Sequence, residues 1–184
     1  MQQTHYLVVT AIGTDRTGIV GDLTRLVHNC NCNILDSHMA IFGREFTFIM
    51  MLSGDRQAIA KAENTLPFSS HEIGLLTMMK RTSKQKQLSD EEQDPHNNLV
   101  IEYVGPDIPG TLNSVTEFLA QQQVHISSLK TDAFNDDSSE TTQHATMISI
   151  RLSSVPDVKE FTNRLKLLCK RLEQELTIKS TELI

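Results

Sequence analysis

Two short loops carry the residues best suited to hold a ligand: Gly13-Thr14-Asp15-Arg16-Thr17-Gly18 and Gly105-Pro106-Asp107-Ile108-Pro109-Gly110. Each leads from an apolar, β-prone run into an amphipathic helix. A helix N-terminus presents backbone N–H groups with no intrahelical acceptor, and the positive end of its dipole favours an anion such as an α-carboxylate. Gly18 and Gly110 place no side chain in the way of that approach. The ammonium group of the same ligand needs acceptors, which Asp15, the side-chain carbonyl of Asn33 or a strand carbonyl can supply. A small effector would fit this geometry. Simpler roles suit the same residues. Asp15 and Asp107 read equally as N-caps, contributing about 0.5–2 kcal/mol each. The glycines can mark tight turns, Asn33 and His125 can end helices, and Arg16 can be a solvated side chain.

Other chemistries have weaker support. His28, Cys30, Cys32 and His38 bring soft metal ligands close in sequence, but Cys30 falls on the apolar helix stripe with Leu23 and Val27, where a thiol behaves as a small hydrophobe. Cys169 beside Leu168 reads the same way. No metal or other cofactor is expected. There is no Gly-x-Ser-x-Gly elbow, Walker loop or Gly-x-Gly-x-x-Gly motif, and the Asp90-Glu91-Glu92 and Asp136-Asp137 carboxylates lie in polar stretches. No catalytic residues are nominated and no enzyme activity is expected. A net charge of −6 and a pI near 5.6 argue against direct binding of nucleic acid, which needs concentrated Lys and Arg. Three Cys without an apolar leader read as reduced thiols in a cytoplasmic protein, and no apolar run approaches membrane-spanning length.

The elements that position the loops come in two matching sets. Asp15 and Asp107 lie 92 positions apart, as do Gly18 and Gly110, and the same offset carries Asn33-Ile34 onto His125-Ile126. The 184 residues are therefore one unit written twice. In the first copy, Tyr6–Ile12 reads as a strand. Val20, Leu23, Val27 and Cys30 form a helix stripe, and Ile34–Phe42 and Phe46–Leu52 are strands joined by the Gly43-Arg44 turn. A second helix opens at Gly54-Asp55 and is expected to stop near Pro67, and Glu72–Arg81 is the fourth strand. In the second copy, the strands are Leu99–Val104, Ile126–Phe134, Ala145–Leu152 and Glu175–Leu183. Helix stripes fall on Leu112, Val115 and Leu119 and on Val158, Phe161, Leu165, Leu168 and Leu172. The order βαββαβ with right-handed crossovers gives an α+β fold of two ferredoxin-like modules, each a four-stranded antiparallel sheet with two helices on one face. The modules are expected at 1–82 and 98–184, joined by a polar linker at 83–97. The stretch Asn135–Gln143 is a long polar loop and a candidate for partner contact.

The strand, the Asp-Arg-Thr-Gly-Ile-Val loop entering a helix, and the Asn33-Ile34 start of the next strand resemble an ACT domain, a small regulatory module that often binds amino acids. Asp107-Ile108-Pro109-Gly110 is similar to that family's Asp-x-Pro-Gly form. Thr17 replaces its common Pro in the first copy, and His125 replaces Asn in the second. A stand-alone tandem of this length resembles the glycine cleavage system transcriptional repressor family. The N-terminal ACT segment of formyltetrahydrofolate hydrolases is also similar, but this chain lacks the residues of their catalytic domain. The resemblance implies a regulator that acts indirectly, through a DNA-binding transcriptional activator, with glycine as effector. It implies effector contacts from Asp15, Arg16, Thr17, Gly18, Asn33, Ile34, Asp107, Pro109, Gly110 and His125, with the loop of one half facing the Asn33 or His125 edge of the other. It also implies pairing of modules and a possible homodimer.

Overall fold

A computed structural model describes residues 4–83, 98–135, 142–152 and 157–180, and the chain divides into two compact units, Met1–Lys86 and Gln87–Ile184. Apart from Ser83, the expected linker lies outside the described residues, as do the Asp90-Glu91-Glu92 and Asp136-Asp137 carboxylates and most of the 135–143 loop.

In the first unit, β1 (His5–Thr14) is followed by α1 (Ile19–Asn29), β2 (Asn33–Phe42), β3 (Glu45–Gly54), α2 (Arg56–Glu72) and β4 (Leu75–Thr82). The second unit repeats the order with β5 (Asn98–Pro106), α3 (Thr111–Gln121), β6 (His125–Asn135), β7 (Thr142–Arg151), α4 (Val158–Arg171) and β8 (Glu175–Ser180). The sheets run β2-β3-β1-β4 and β6-β7-β5-β8, with antiparallel pairing throughout. This is the ferredoxin-like arrangement in tandem, and β3 and β7 occupy interior positions.

Strand alternation sets the cores. Leu7, Val9 and Ala11 of β1 and Phe46, Phe48, Met50 and Leu52 of β3 point to one face, where Leu23 and Val27 of α1 and Ile59, Ala62 and Leu66 of α2 cover them. Ile101, Tyr103, Ile148 and Ile150 meet Val115, Leu119, Phe161 and Leu165 in the same way. Thr111, rather than Leu112, takes the first buried position of α3. The opposite faces differ between modules. Ile12, Ile49, Leu76, Met78 and Phe42 stand exposed on the first. The second carries Val104 and Met147 among the ion pairs Lys179–Glu102 and Lys130–Asp132.

The duplication extends to irregular detail. The register slips between Ile34 and Asp36 in β2 and between Ile126 and Ser128 in β6, a bulge at matching positions. Asn31 and Gln123 hold φ of 60° and 55° just after α1 and α3. These residues end the helices, whereas Asn33 and His125 open the following strands, paired with Ser53 and Arg151.

Two expected boundaries move. Pro67 does not stop α2, which continues through it to Glu72, because Leu66 and Ser70 on either side are buried against the sheet. Burying a Leu side chain contributes roughly 1.5–3 kcal/mol, comparable to the ~3 kcal/mol cost of an interior proline. The strand expected from Glu72 consequently begins at Leu75, after Gly74 turns the chain at φ 82°. Among the described residues no helix is long and apolar enough to cross a membrane.

Candidate functional site

Each loop is tied down at both ends. The Asp15 amide donates to the Arg44 carbonyl at 2.8 Å, and the Asp107 amide to the Thr142 carbonyl at 3.0 Å, so the β2–β3 and β6–β7 ends hold the loops from one side. From the other side, the segment after the second helix closes in. A Cβ on Gly13 would lie 2.4 Å from the Gly74 carbonyl oxygen, and one on Gly105 would lie 2.5 Å from that of Glu173. Gln174, buried in the second module, donates from Nε2 to the Pro106 carbonyl at 3.0 Å. Its counterpart in the first module, Leu75, supplies packing alone. Sequence reading did not single out Gln174, because its role depends on a strand distant in sequence.

Past the tether, the chain enters α1 and α3 through Gly18 and Gly110, which hold φ of 86° and 92°. These glycines are the N-caps. Asp15 and Asp107 are therefore not caps, and among the described residues their carboxylates have no partner. Asp22 and Ser114 amides donate to the Gly18 and Gly110 carbonyls at 2.9 Å, and Ile19 and Thr111 amides donate to Arg16 and Ile108. The amides of Gly18, Val20 and Gly21, and of Gly110, Leu112 and Asn113, have no acceptor among the described residues. Nothing lies within 4 Å of where a Cβ on Gly18 or Gly110 would be, so neither turn is plugged. An anion placed there would meet unpaired N–H donors at the positive end of a helix.

The first turn has an added cation. Arg16 Nη2 donates to Asp22 Oδ2 at 2.7 Å, and Arg25 pairs with the other carboxylate oxygen. The Arg16 hydrogen bond holds the Asp22 carboxyl below the usual carboxylate range. Ile108 and Ser114 occupy the matching positions of the second turn, which lacks this charge. The sequence analysis did not single out Asp22, although an acidic residue in the first helical turn is a readable sign of a helix start.

The remaining sequence-nominated residues do not join the turn within a module. Thr14 pairs with Glu45 at one end of the first sheet, whereas Asn33 pairs with Ser53, opposite Tyr6, at the other. At the ordinary strand rise, this separates Asn33 and Ile34 from the Asp15 turn by roughly 25 Å. The Pro106↔Gln143 and His125↔Arg151 pairings place His125 just as far from Gly110. Each module thus groups Asp15, Arg16, Thr17 and Gly18, or Asp107, Pro109 and Gly110, and leaves Asn33, Ile34 and His125 outside that group.

With this geometry in place, likeness to known proteins becomes informative. An ACT domain profile matches residues 5–80. The glycine cleavage system transcriptional repressor of Escherichia coli (strain K12) is 57% identical over 79 residues, covering 43% of this chain and 42% of that protein. The aligned stretch thus spans less than half of that relative's length. A crystal structure provisionally assigned as a glycine cleavage system transcriptional repressor matches at 35% identity over 97% of this chain and 99% of its own, with a TM-score of 0.73. The chain belongs to the glycine cleavage system transcriptional repressor family of tandem ACT-domain proteins. A protein of unknown function from Galdieria sulphuraria, 22% identical with a TM-score of 0.74 over 98% of this chain and 100% of its own, shares the tandem ACT fold.

The thiols of the first ACT module belong to its core. Cys30 Sγ lies 3.2 Å from Thr65 Oγ1, and burial pushes the Cys32 thiol up to about 11, as it does Cys169 in the second module. His38 is exposed on β2 beside Asp36, away from that core. Among the described residues no group of three or more His, Cys, Asp or Glu side chains is arranged to hold a metal ion.

Proposed function

We propose that this chain is a non-enzymatic regulator of transcription of the glycine cleavage system, acting through a DNA-binding activator protein, with glycine as its effector. The observation that carries the reading is the repeated turn: unpaired amides at Gly18, Val20 and Gly21, and at Gly110, Leu112 and Asn113, each at a helix N-terminus with open space at the Gly18 and Gly110 Cβ positions. The effector's carboxylate meets these amides. Asp15 or Asp107 takes part in holding its ammonium, and Arg16, Thr17 and Pro109 line the approach. Asn33, Ile34 and His125 remain part of the proposed contact set on the family's pattern. Likeness to the E. coli repressor supports the regulatory assignment.

The mechanism is linkage. If glycine and the activator favour different states of the tandem, each weakens the other's binding by the same free energy, typically about 1–3 kcal/mol. Action through a partner suits a chain of net charge −6, which has little attraction for a phosphate backbone. The site of action is the cytoplasm, and the exposed apolar face of the first module is a surface on which a homodimer would form.

Titration calorimetry of the full chain with glycine, serine and alanine, alone and with the activator, tests this. Glycine should bind and should lower affinity for the activator. Activator binding that is indifferent to every amino acid would leave an effector-independent scaffold in place of a sensor.

A further inference from the structure

On the helical side of the second module, a groove of about 900 Å³ runs between α3 and α4. Its floor is apolar, formed by Phe118, Leu167 and Leu168, and Leu167 is 65% exposed although it lies in a long amphipathic helix. Its α4 rim is cationic. Arg164 lies over the Phe118 ring at 5.6 Å and donates to Gln122, while Lys170 and Arg171 occupy the last turn. Among the described residues none of these three has a carboxylate partner, whereas Arg16, Arg25, Arg81, Lys130 and Lys179 each have one. The one acidic residue in the groove is Glu117, on the α3 rim.

Lys170 and Arg171 suit a helix C-terminus on dipole grounds alone. That account does not reach Arg164, which is mid-helix, or the exposed Leu167. Comparison with the first module isolates the difference. The buried series Ala62, Leu66 and Ser70 of α2 corresponds to Phe161, Leu165 and Cys169 of α4. Thr65, Phe68, Ser69, His71 and Glu72 therefore stand where Arg164, Leu167, Leu168, Lys170 and Arg171 do, so the exposed apolar residue is common to both modules and the cationic rim is what differs. There the groove shrinks to about 200 Å³ and is bridged, with Lys61 Nζ donating to the Asn29 carbonyl at 2.7 Å and Cys30 against Thr65. A single fold thus carries a smaller groove in the first module and a larger, positively rimmed one in the second, in a chain that is acidic as a whole.

We propose that the α3–α4 groove docks an acidic amphipathic segment of a partner protein. Its apolar side chains rest on Phe118, Leu167 and Leu168, and its carboxylates meet Arg164, Lys170 and Arg171. Charge complementarity selects the acidic face, and the apolar floor selects a segment with large side chains, the helix-in-groove mode of recognition. A nucleic acid backbone would use the rim but leave the floor unmatched and face Glu117. The inference stands on the second module alone and goes beyond effector binding at the turns.

The test uses the full chain and a fluorescein-labelled synthetic helical peptide with one Leu-rich and one Glu-rich face. Saturable anisotropy is expected, weakened at least tenfold by K170E/R171E and, separately, by Leu167→Asp. The first-module change Phe68→Asp should leave it unaltered. Leu167→Asp alters an exposed position and keeps Lys170 and Arg171 in the last turn, so it keeps the test valid if the double variant loses helix stability. Equal binding of a peptide with Ala in place of Leu, or equal competition by random-sequence duplex DNA, would reduce the groove to a cation patch and overturn the proposal. So would failure of the wild type to bind the peptide, including the case in which it forms a dimer that K170E/R171E dissociates.

Discussion

Gly13 and Gly105 are glycines because a neighbouring carbonyl occupies the space a methyl group would need, whereas Gly18 and Gly110 are glycines because of their backbone angle. The two demands predict different substitution effects. Gly105→Ala drives a Cβ to 2.5 Å from the Glu173 carbonyl oxygen and 2.8 Å from Gln174. The backbone atom cannot swing away as a flexible side chain would, so overpacking should destabilise the second module by about 1–3 kcal/mol. It should also loosen the Asp107 loop, since Gln174 holds Pro106 in place. Gly21 sits in the first turn of α1 with open space around its Cβ position and no unusual angle, so Gly21→Ala should stabilise by roughly 0.5–1 kcal/mol. Urea unfolding of the two variants checks both signs, and an equal response would mean that the close approach at Gly105 does not constrain the fold.

At the scale of elements, α2 is the informative case. Pro67 has no N–H for the Glu63 carbonyl, and its ring crowds the preceding turn, yet the helix runs on to Glu72. Replacing it removes a local conflict that packing already overrides. Pro67→Ala should therefore raise stability by about 1–3 kcal/mol, read as a higher urea midpoint with an unchanged slope. A loss of stability would mean that the proline ring is needed to seat Leu66 and Ser70. The same helix shows how far the sequence could be read. The βαββαβ order and the Gly43-Arg44 turn were legible, because alternation, helical period and glycine signals agree with the final packing. The end of α2 was not, because a local breaker lost to burial that only the assembled sheet supplies. Asp15 and Asp107 looked like caps for a related reason. Residue type permits capping, but the tether of their amides to Arg44 and Thr142 hands the cap position to Gly18 and Gly110. Asn33 and His125 follow the same pattern, since only strand register shows them at the far end of the sheet from the loops.

Across the whole molecule, duplication has preserved the backbone of the two turns while changing what surrounds them. Both offer unpaired amides, but only the first places a guanidinium beside them: Arg16, held over the first turn of α1 by Asp22. The second has Ile108 there, followed by Pro109 in place of Thr17. For a zwitterion whose carboxylate seats at the amides, Arg16 adds attraction that Ile108 cannot. The first turn should therefore be the tighter glycine site. Because Arg16 is substantially exposed and shares its charge with Asp22, the difference is modest, about 1 kcal/mol or several-fold in affinity. Calorimetric titration of Arg16→Ala with glycine should show that loss, while Ile108→Ala should bind as the wild type does. Removing Asp22 alone gives the opposite check. In Asp22→Asn the guanidinium no longer faces a competing carboxylate, so glycine should bind as tightly or tighter, with a steeper dependence on salt. If Arg16→Ala leaves affinity unchanged while Ile108→Ala lowers it, the second turn is the working site and its amides act without a neighbouring cation.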